Sequence, residues 1–205
     1  GNKLYASTDG GLYTTTDGGT FWLQESRGLN IAECWNVAVS KEKPYRILVG
    51  MQDCGTQQFR PSEDSLSGWF MVRGGDGMEC AIDPLNPKIM YANDGNNNLT
   101  ARSEDGGITW SRNLAASRME RGNYLRPFQL DPANPHVLYT GYHNVFKSKN
   151  QGETWTMLAP IDLADKNASL IAIAVAPTDS QMIYIAYSNP TWNTKPTQRL
   201  YKSKD

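Results

Sequence analysis

The sequence contains the stretch Ser103-Glu104-Asp105-Gly106-Gly107-Ile108-Thr109-Trp110, and this stretch decides the fold because the chain repeats it. It recurs as Ser148-Lys149-Asn150-Gln151-Gly152-Glu153-Thr154-Trp155 and, earlier, as Thr15-Thr16-Asp17-Gly18-Gly19-Thr20-Phe21-Trp22. A degenerate copy keeps Ser62, Asp64 and Trp69 at the same offsets, and a further copy starts with Ser203-Lys204-Asp205. The Asp or Asn positions 17, 64, 105, 150 and 205 are 47, 41, 45 and 55 residues apart, which indicates a repeat protein. We call the pattern the box and number its positions from the Ser or Thr.

A second motif repeats in phase with the box. Asp83-Pro84-Leu85-Asn86-Pro87 precedes the apolar segment Ile89-Met90-Tyr91, and Asp131-Pro132-Ala133-Asn134-Pro135 precedes Val137-Leu138-Tyr139. Weaker versions lie at 40–44 and 176–180. Clusters of Pro and Asn between two short apolar segments are typical of tight turns between strands.

One full repeat predicts four strands: Met78–Ile82, Ile89–Ala92, Leu99–Arg102 and Thr109–Arg112. Four antiparallel strands in about 45 residues are typical of one blade of a β-propeller. We therefore predict an all-β chain that is part of one β-propeller. Its blades span approximately 1–26, 27–72, 73–117, 118–160 and 161–205. The first and last blades supply three strands each, so we expect both to be incomplete and to be completed by the rest of a longer polypeptide or by another chain.

Composition excludes several classes of function. The 205 residues carry 20 basic and 21 acidic side chains, a net charge of -1 that favours neither nucleic acid nor an anionic membrane. The mean hydropathy is -0.56, and no apolar run approaches the roughly 20 residues that cross a bilayer. Eighteen glycines and eleven prolines agree with many short strands joined by turns.

The box residues have a structural interpretation. Asp or Asn accepts hydrogen bonds from nearby backbone amides, glycine supplies a positive φ, and the tryptophan packs over the turn. Because they recur in register, we interpret them as scaffold rather than as catalytic groups. They are Asp17, Trp22, Asp64, Trp69, Asp105, Trp110, Asn150 and Trp155.

The box resembles the Asp-box, or bacterial neuraminidase repeat, of sialidases, sortilin-type receptors, xyloglucanases and a photosystem assembly factor. The further motifs Gly50-Met51-Gln52-Asp53-Cys54-Gly55 and Gly74-Gly75-Asp76-Gly77, followed by the Asp83–Pro87 turn, resemble secreted bacterial sortilin-like repeat proteins, which are often labelled glycosyl hydrolases by similarity. The resemblance implies a propeller fold and an extracellular or cell-surface location.

Two hypotheses about function compete, and both concern the face opposite the boxes, where loops held by a rigid scaffold usually carry function. In the first, a binding propeller presents this face to a protein or glycan ligand. Its candidate ligand-binding residues are Gln52, Arg73, His143 and Trp192. Trp192 lies outside any box, and its ring could stack on a sugar or a peptide.

In the second hypothesis, the protein is a glycoside hydrolase that acts on a polysaccharide with paired carboxylates. Asp76, together with Asp53 or Glu79, is the candidate pair, and Trp192 would be a platform for the sugar. The structural alternative is a glycine-framed turn in which Asp76 caps the loop backbone.

No metal and no cofactor are predicted. The segment Asp94–Asn98 resembles the opening of a calcium loop, but Leu99 stands where such a loop needs glycine. Cys34, Cys54 and Cys80 are an odd number without a C-x-x-C pair, which indicates no zinc site. A Cys34–Cys54 disulfide and buried free thiols remain as alternatives.

Overall fold

The computed structural model describes residues 3–8, 11–28, 32–43, 45–61, 68–94, 99–111, 114, 126–158, 168–188 and 198–203. All regular secondary structure in these ranges is β-strand, and they contain no α-helix. The predicted all-β class is therefore confirmed. Within the same ranges no helix is long and apolar enough to cross a membrane.

In the described ranges, seventeen strands form five antiparallel sheets, and each sheet uses strands that are consecutive in the chain. Sheet 1 contains β1 (Leu4–Thr8), β2 (Gly11–Thr15) and β3 (Leu23–Gln24). Sheet 2 contains β4 (Cys34–Val39), β5 (Ile47–Met51), β6 (Gly55–Phe59) and β7 (Trp69–Arg73). Sheet 3 contains β8 (Gly77–Ile82), β9 (Met90–Asp94) and β10 (Leu99–Ser103). Sheet 4 contains β11 (Phe128–Leu130), β12 (Leu138–Gly141), β13 (Val145–Ser148) and β14 (Thr156–Met157). Sheet 5 contains β15 (Ser169–Ala176), β16 (Asp179–Ser188) and β17 (Arg199–Ser203).

The predicted strand Thr109–Arg112 is not formed in the described residues, which is a correction to the sequence prediction. Ser111 and Leu114 instead make single backbone hydrogen bonds to Arg102 and Thr100 of β10, at 2.7 and 2.9 Å. Three residue steps separate Ser111 from Leu114, whereas two separate Arg102 from Thr100. These two hydrogen bonds are therefore out of step with a regular ladder along this edge of sheet 3.

The Pro/Asn turns connect the first and second strands of sheets 3 and 4 through a buried aspartate. Asp83 Oδ1 accepts hydrogen bonds from the backbone N–H groups of Leu85 and Asn86, at 2.8 and 3.2 Å. Asp131 does the same in sheet 4. Both aspartates are only 2% exposed, so their carboxylates replace water for backbone groups that the turn leaves unpaired.

The apolar core lies between the successive sheets 2, 3, 4 and 5, which bury side chains against one another. Leu48 of sheet 2 packs with Cys80, Ile82 and Met90 of sheet 3. Tyr91 of sheet 3 belongs to the cluster that fills the space against sheet 4. Tyr139 and Val145 of sheet 4 pack on Leu170, Val175, Ile183, Ile185 and Tyr187 of sheet 5. Face-to-face packing of this kind holds consecutive sheets in order around the fold.

Glycines allow sheets 2 and 3 to approach closely at one end. A Cβ on Gly50 of β5 would lie 1.8 Å from the carbonyl oxygen of Met78, and a Cβ on Gly77 would lie 2.2 Å from that of Gly55. Both neighbours are backbone atoms, which cannot move aside as a flexible side chain can. Only glycine fits at these two positions.

We predict that Gly50→Ala destabilises the protein by at least about 3 kcal/mol, since a methyl group would force the two backbones apart. Urea unfolding followed by circular dichroism measures this change. The matched control is Gly74→Ala, because a Cβ at Gly74 meets nothing within 4 Å of the described structure. Equal midpoints for the two variants would contradict the proposed close approach.

Candidate functional site

The side chains of each box turn form hydrogen bonds with one another and with the backbone of the same turn. Ser103 Oγ donates to Asp105 Oδ1 and accepts from Gly107 N, each at 2.8 Å. Asp105 also accepts from the backbone N–H of Thr109 at 2.9 Å. Hydrogen bonds from the Thr109 hydroxyl and then from its backbone lower the pKa of Asp105. The carboxylate is thus an acceptor inside the turn.

The other box turns repeat this geometry. In sheet 4, Ser148 Oγ donates to Asn150 Oδ1, which accepts from Thr154 N, both at 2.9 Å. In sheet 1, Thr15 Oγ1 donates to Asp17, and the pKa of Asp17 is lowered chiefly by the backbone N–H of Phe21. The degenerate copy at Asp64 lies outside the described residues.

The box tryptophans differ in burial. Trp155 is 9% exposed, whereas Trp22 and Trp69 are 39% and 47% exposed. The indole N–H of Trp110 donates to Gly107 O at 3.3 Å, so this ring lies over its own turn. Trp69 instead contacts Phe59, with ring centroids 5.5 Å apart.

Two of the three residues proposed as catalytic carboxylates, Asp53 and Asp76, are in contact at one end of sheets 2 and 3, through the backbone of Asp53. Asp53 occupies the turn between β5 and β6 with a φ of 56°, and its backbone N–H donates to Asp76 Oδ1 at 2.8 Å. Asp76 belongs to the link between β7 and β8. The neighbouring Gln52 N–H donates to Glu33 O at 3.0 Å, which holds the same turn from the other side. Asp76 therefore stabilises a left-handed backbone conformation that a non-glycine residue adopts only at a cost.

Glu79 lies deeper, on β8, and contacts a residue that the sequence analysis did not single out. Asn36 on β4 donates its side-chain N–H to Glu79 Oε2 at 2.6 Å. Burial raises the pKa of Glu79 from 4.5 to about 7. β4 and β8 are the first strands of neighbouring sheets, and in a propeller these strands lie nearest the central axis.

The Asn36 side chain also orders the thiol next to Glu79. Its Oδ1 accepts from the Cys80 backbone N–H at 3.4 Å and from the Cys80 thiol at 3.3 Å. Burial, and secondly the charge of Glu79, raise the pKa of Cys80 to about 12, so this thiol is not a nucleophile. The indole N–H of the adjacent Trp35 is buried and has no hydrogen-bond partner within the described ranges. An isolated Asn and Trp in an otherwise apolar strand were the only sequence signal for this cluster.

The candidate ligand-binding residues are distributed over more than one sheet. The Arg73 guanidinium lies over the Trp110 ring, 5.9 Å from its centroid. His143 lies in the turn between β12 and β13, where Nδ1 is 2.9 Å from Ala168 O and the backbone carbonyl accepts from the Tyr187 hydroxyl at 2.8 Å. Trp192 lies outside the described residues.

Neither a metal site nor a disulfide is formed in the described part of the chain. No group of three or more His, Cys, Asp or Glu residues is placed to hold a metal ion there. All three cysteines are free thiols; Cys34 is exposed, Cys54 half-buried and Cys80 buried.

Comparison with known proteins supports the fold alone. No family model matches the sequence, and no curated protein matches it. Solved structures do match. They include an ancestral GH74 enzyme (20% identity, TM-score 0.62, 98% of this chain and 28% of that chain) and the GH74 xyloglucanase from Xanthomonas campestris (16% identity, TM-score 0.59, 97% and 34%). The WD40 β-propeller domain of Doa1 also matches, at 11% identity and a TM-score of 0.54 over 93% of this chain and 57% of that chain.

These neighbours and the five antiparallel sheets define the class of protein: the chain is part of a β-propeller. It spans about a third of the length of the GH74 enzymes that it matches.

The buried Glu79 predicts a pH dependence of stability. A carboxyl whose pKa is raised by folding favours the folded state while it is protonated, and this contribution is lost as the pH rises from about 4.5 through about 7. The Asn36 N–H favours the charged form and opposes part of the shift. We therefore expect Glu79→Gln to be more stable than the wild type by roughly 1–3 kcal/mol at pH 8, with no difference near pH 4.

Urea unfolding at a series of pH values measures this effect. The matched control is Glu25→Gln, because Glu25 is an exposed carboxylate at the end of sheet 1. A difference between Glu79→Gln and the wild type that does not change with pH would rule out titration of Glu79 in this range.

Proposed function

We propose that the chain is part of a secreted or cell-surface Asp-box propeller that binds a protein or glycan ligand through the face opposite the boxes, here called the loop face. The hydrogen bond between Asp53 N and Asp76 Oδ1 carries this proposal. Through this bond, Asp76 fixes the conformation of the turn at Asp53, and a binding surface requires loops of fixed conformation. A rigid loop loses less conformational entropy when it binds.

The box geometry supports the same proposal from the opposite face. Asp105 and Asn150 are hydrogen-bonded within their own turns, as the Asp-box resemblance implies for scaffold residues. Because the boxes are engaged in this way, the proposed ligand-binding residues lie outside them. Gln52 and His143 make backbone contacts in the turns after β5 and β12, whereas the Arg73 guanidinium lies over the box residue Trp110.

A glycoside hydrolase is the second candidate, and Glu79 favours it. A carboxyl whose pKa is raised to about 7 by burial has the property that a general acid needs at neutral pH. The partner carboxylate would be Asp53 or Asp76, and this role requires a separation from Glu79 of about 5–5.5 Å in a retaining enzyme or about 6.5–9.5 Å in an inverting one. The GH74 neighbours share the propeller fold, and one of them is a xyloglucanase.

Assays on β-glucan, xyloglucan and sialoside substrates distinguish the two candidates. If the protein binds without cleaving, reducing ends will not accumulate, while binding will be detected on immobilised glycans or peptides. We then expect Trp192→Ala to weaken binding by about tenfold or more, as loss of a stacking aromatic does at many interfaces. Trp22→Ala is the matched control, because Trp22 is an exposed tryptophan in a box turn.

Hydrolysis would support the second candidate and overturn the first. In that case Asp76→Asn should abolish turnover while the melting temperature stays within a few degrees of the wild type. Undiminished binding by Trp192→Ala would remove this residue from the proposed site.

A further inference from the structure

The box turns of sheets 3 and 4 share two contacts, one with the preceding sheet and one within their own sheet, and the box turn of sheet 4 makes a third contact with the preceding sheet. The first contact is made by the carbonyl at box position 4. Gly106 O accepts from Gln58 Nε2 at 3.0 Å, and Gln151 O accepts from Arg102 Nη1 at 2.9 Å. Gln58 and Arg102 belong to the third strands of sheets 2 and 3. A side chain of one sheet therefore donates to the box turn of the next.

Strand register shows which residue of sheet 4 occupies the same place. The second strand of each sheet pairs Ile47 with Phe59, Met90 with Ser103, Leu138 with Ser148 and Ile183 with Ser203. Gln58 and Arg102 each precede the third-strand member of such a pair by one residue. The equivalent residue in sheet 4 is Lys147, which has a side chain of similar length and also donates hydrogen bonds.

The second contact uses the backbone N–H at box position 4. Gly106 N donates to Lys88 O at 2.9 Å, and Gln151 N donates to His136 O at 3.0 Å. Met90 and Leu138 are the second-strand members of the register pairs in sheets 3 and 4. Lys88 and His136 lie two residues before them. In sheet 5 the residue two before Ile183 is Gln181.

The third contact is apolar and occurs at the position-5 glycine of the sheet 4 box, whereas the atom nearest to an added Cβ on Gly107, the same position in sheet 3, is Gln58 Oε1. A Cβ on Gly152 would be 2.4 Å from Leu114 Cδ1, so Leu114 packs directly on this turn. Leu114 N donates to Thr100 O, three residues before Ser103, and Leu158 N donates to Val145 O, three residues before Ser148. Leu158 is thus the equivalent of Leu114 in sheet 4.

Lys147, Leu158 and Gln181, the equivalents of all three contact residues, line one cavity of about 420 Å³ between sheets 4 and 5. The remaining lining is mostly polar and includes Lys149, Thr154 and Ser180. Ser203, at box position 1 on β17, is exposed, whereas Ser103 and Ser148 are each 1% exposed.

Sheet 1 shows the same relationship from the other side. No described sheet precedes it, and a Cβ on Gly18, at box position 4, would meet no described atom within 4 Å. A Cβ on Gly106 at the same position would lie 2.4 Å from the Arg46 side chain. A box turn is therefore covered where a preceding sheet is present.

We propose that the cavity between sheets 4 and 5 is the binding site of a box turn that follows β17, and we call this site the seat. Ser203, Lys204 and Asp205 match its first three positions. Lys147 donates to its position-4 carbonyl, Gln181 O accepts its position-4 N–H, and Leu158 packs on its position-5 glycine. This inference concerns assembly of the propeller and is independent of the proposed ligand.

The test uses residues 1–205 followed by Gln-Gly-Glu-Thr-Trp-Thr-Met-Leu, the sequence of residues 151–158, which completes the box. A second extension carries the same eight residues in scrambled order. Both are made in the wild type and in Lys147→Met, and melting temperatures are compared within each background. We expect the completed box to raise the melting temperature by about 3–6 °C over the scrambled extension in the wild type. Most of this gain should disappear in Lys147→Met.

Lys202→Met is the matched control, because Lys202 is an exposed lysine on β17, 5.8 Å from the centroid of the Tyr184 ring. It should retain the gain. An equal gain in Lys147→Met would mean that the extension only pairs with β17, and it would overturn the proposed seat. The absence of any gain over the scrambled extension would overturn it as well.

Discussion

The buried hydroxyl at box position 1 is the interaction on which the rest of the structure depends. Ser103 Oγ is shared between the Asp105 carboxylate and the Gly107 backbone N–H. This fixes a turn in which Gly106 and Gly107 both have positive φ, 78° and 88°. In that conformation the position-4 carbonyl is directed toward the preceding sheet, where Gln58 donates to it. A local hydrogen bond within one sheet thus places an acceptor for the sheet before it.

Stacking of sheets then combines apolar and directional contacts. Burial of Leu48, Met90 and Tyr91 supplies free energy without specifying how one sheet is rotated against the next. The bond from Gln58 to Gly106 O supplies that orientation, because Gln58 is completely buried and its amide N–H groups would otherwise have only the weak acceptor Met90 Sδ, at a cost of about 1–3 kcal/mol. Arg102 performs the same task between sheets 3 and 4, and also pairs with Glu153 at 2.9 Å.

The loop face depends on a different constraint, the close approach of backbones at Gly50, Gly55 and Gly77. Because the sheets meet without side chains at these points, the turn at Asp53 comes within hydrogen-bond distance of Asp76. On the adjacent part of β8, the same packing removes water from Glu79. A structural feature of the scaffold thus sets both the shape of the loop end and the protonation of its deepest carboxyl.

The sequence by itself determined what is local. The hydrogen bonds of the boxes and of the Pro/Asn turns join residues two to four apart, so their residue types alone predicted the turns, the all-β class and the strands other than Thr109–Arg112. Only the tertiary structure decided the pairing of Asn36 with Glu79, which are 43 residues apart and on different sheets. The same is true of the raised pKa of Glu79 and of the contact between Asp53 and Asp76. Burial and non-local hydrogen bonds depend on how whole sheets pack, and the pattern of neighbouring residues in the sequence does not determine that packing.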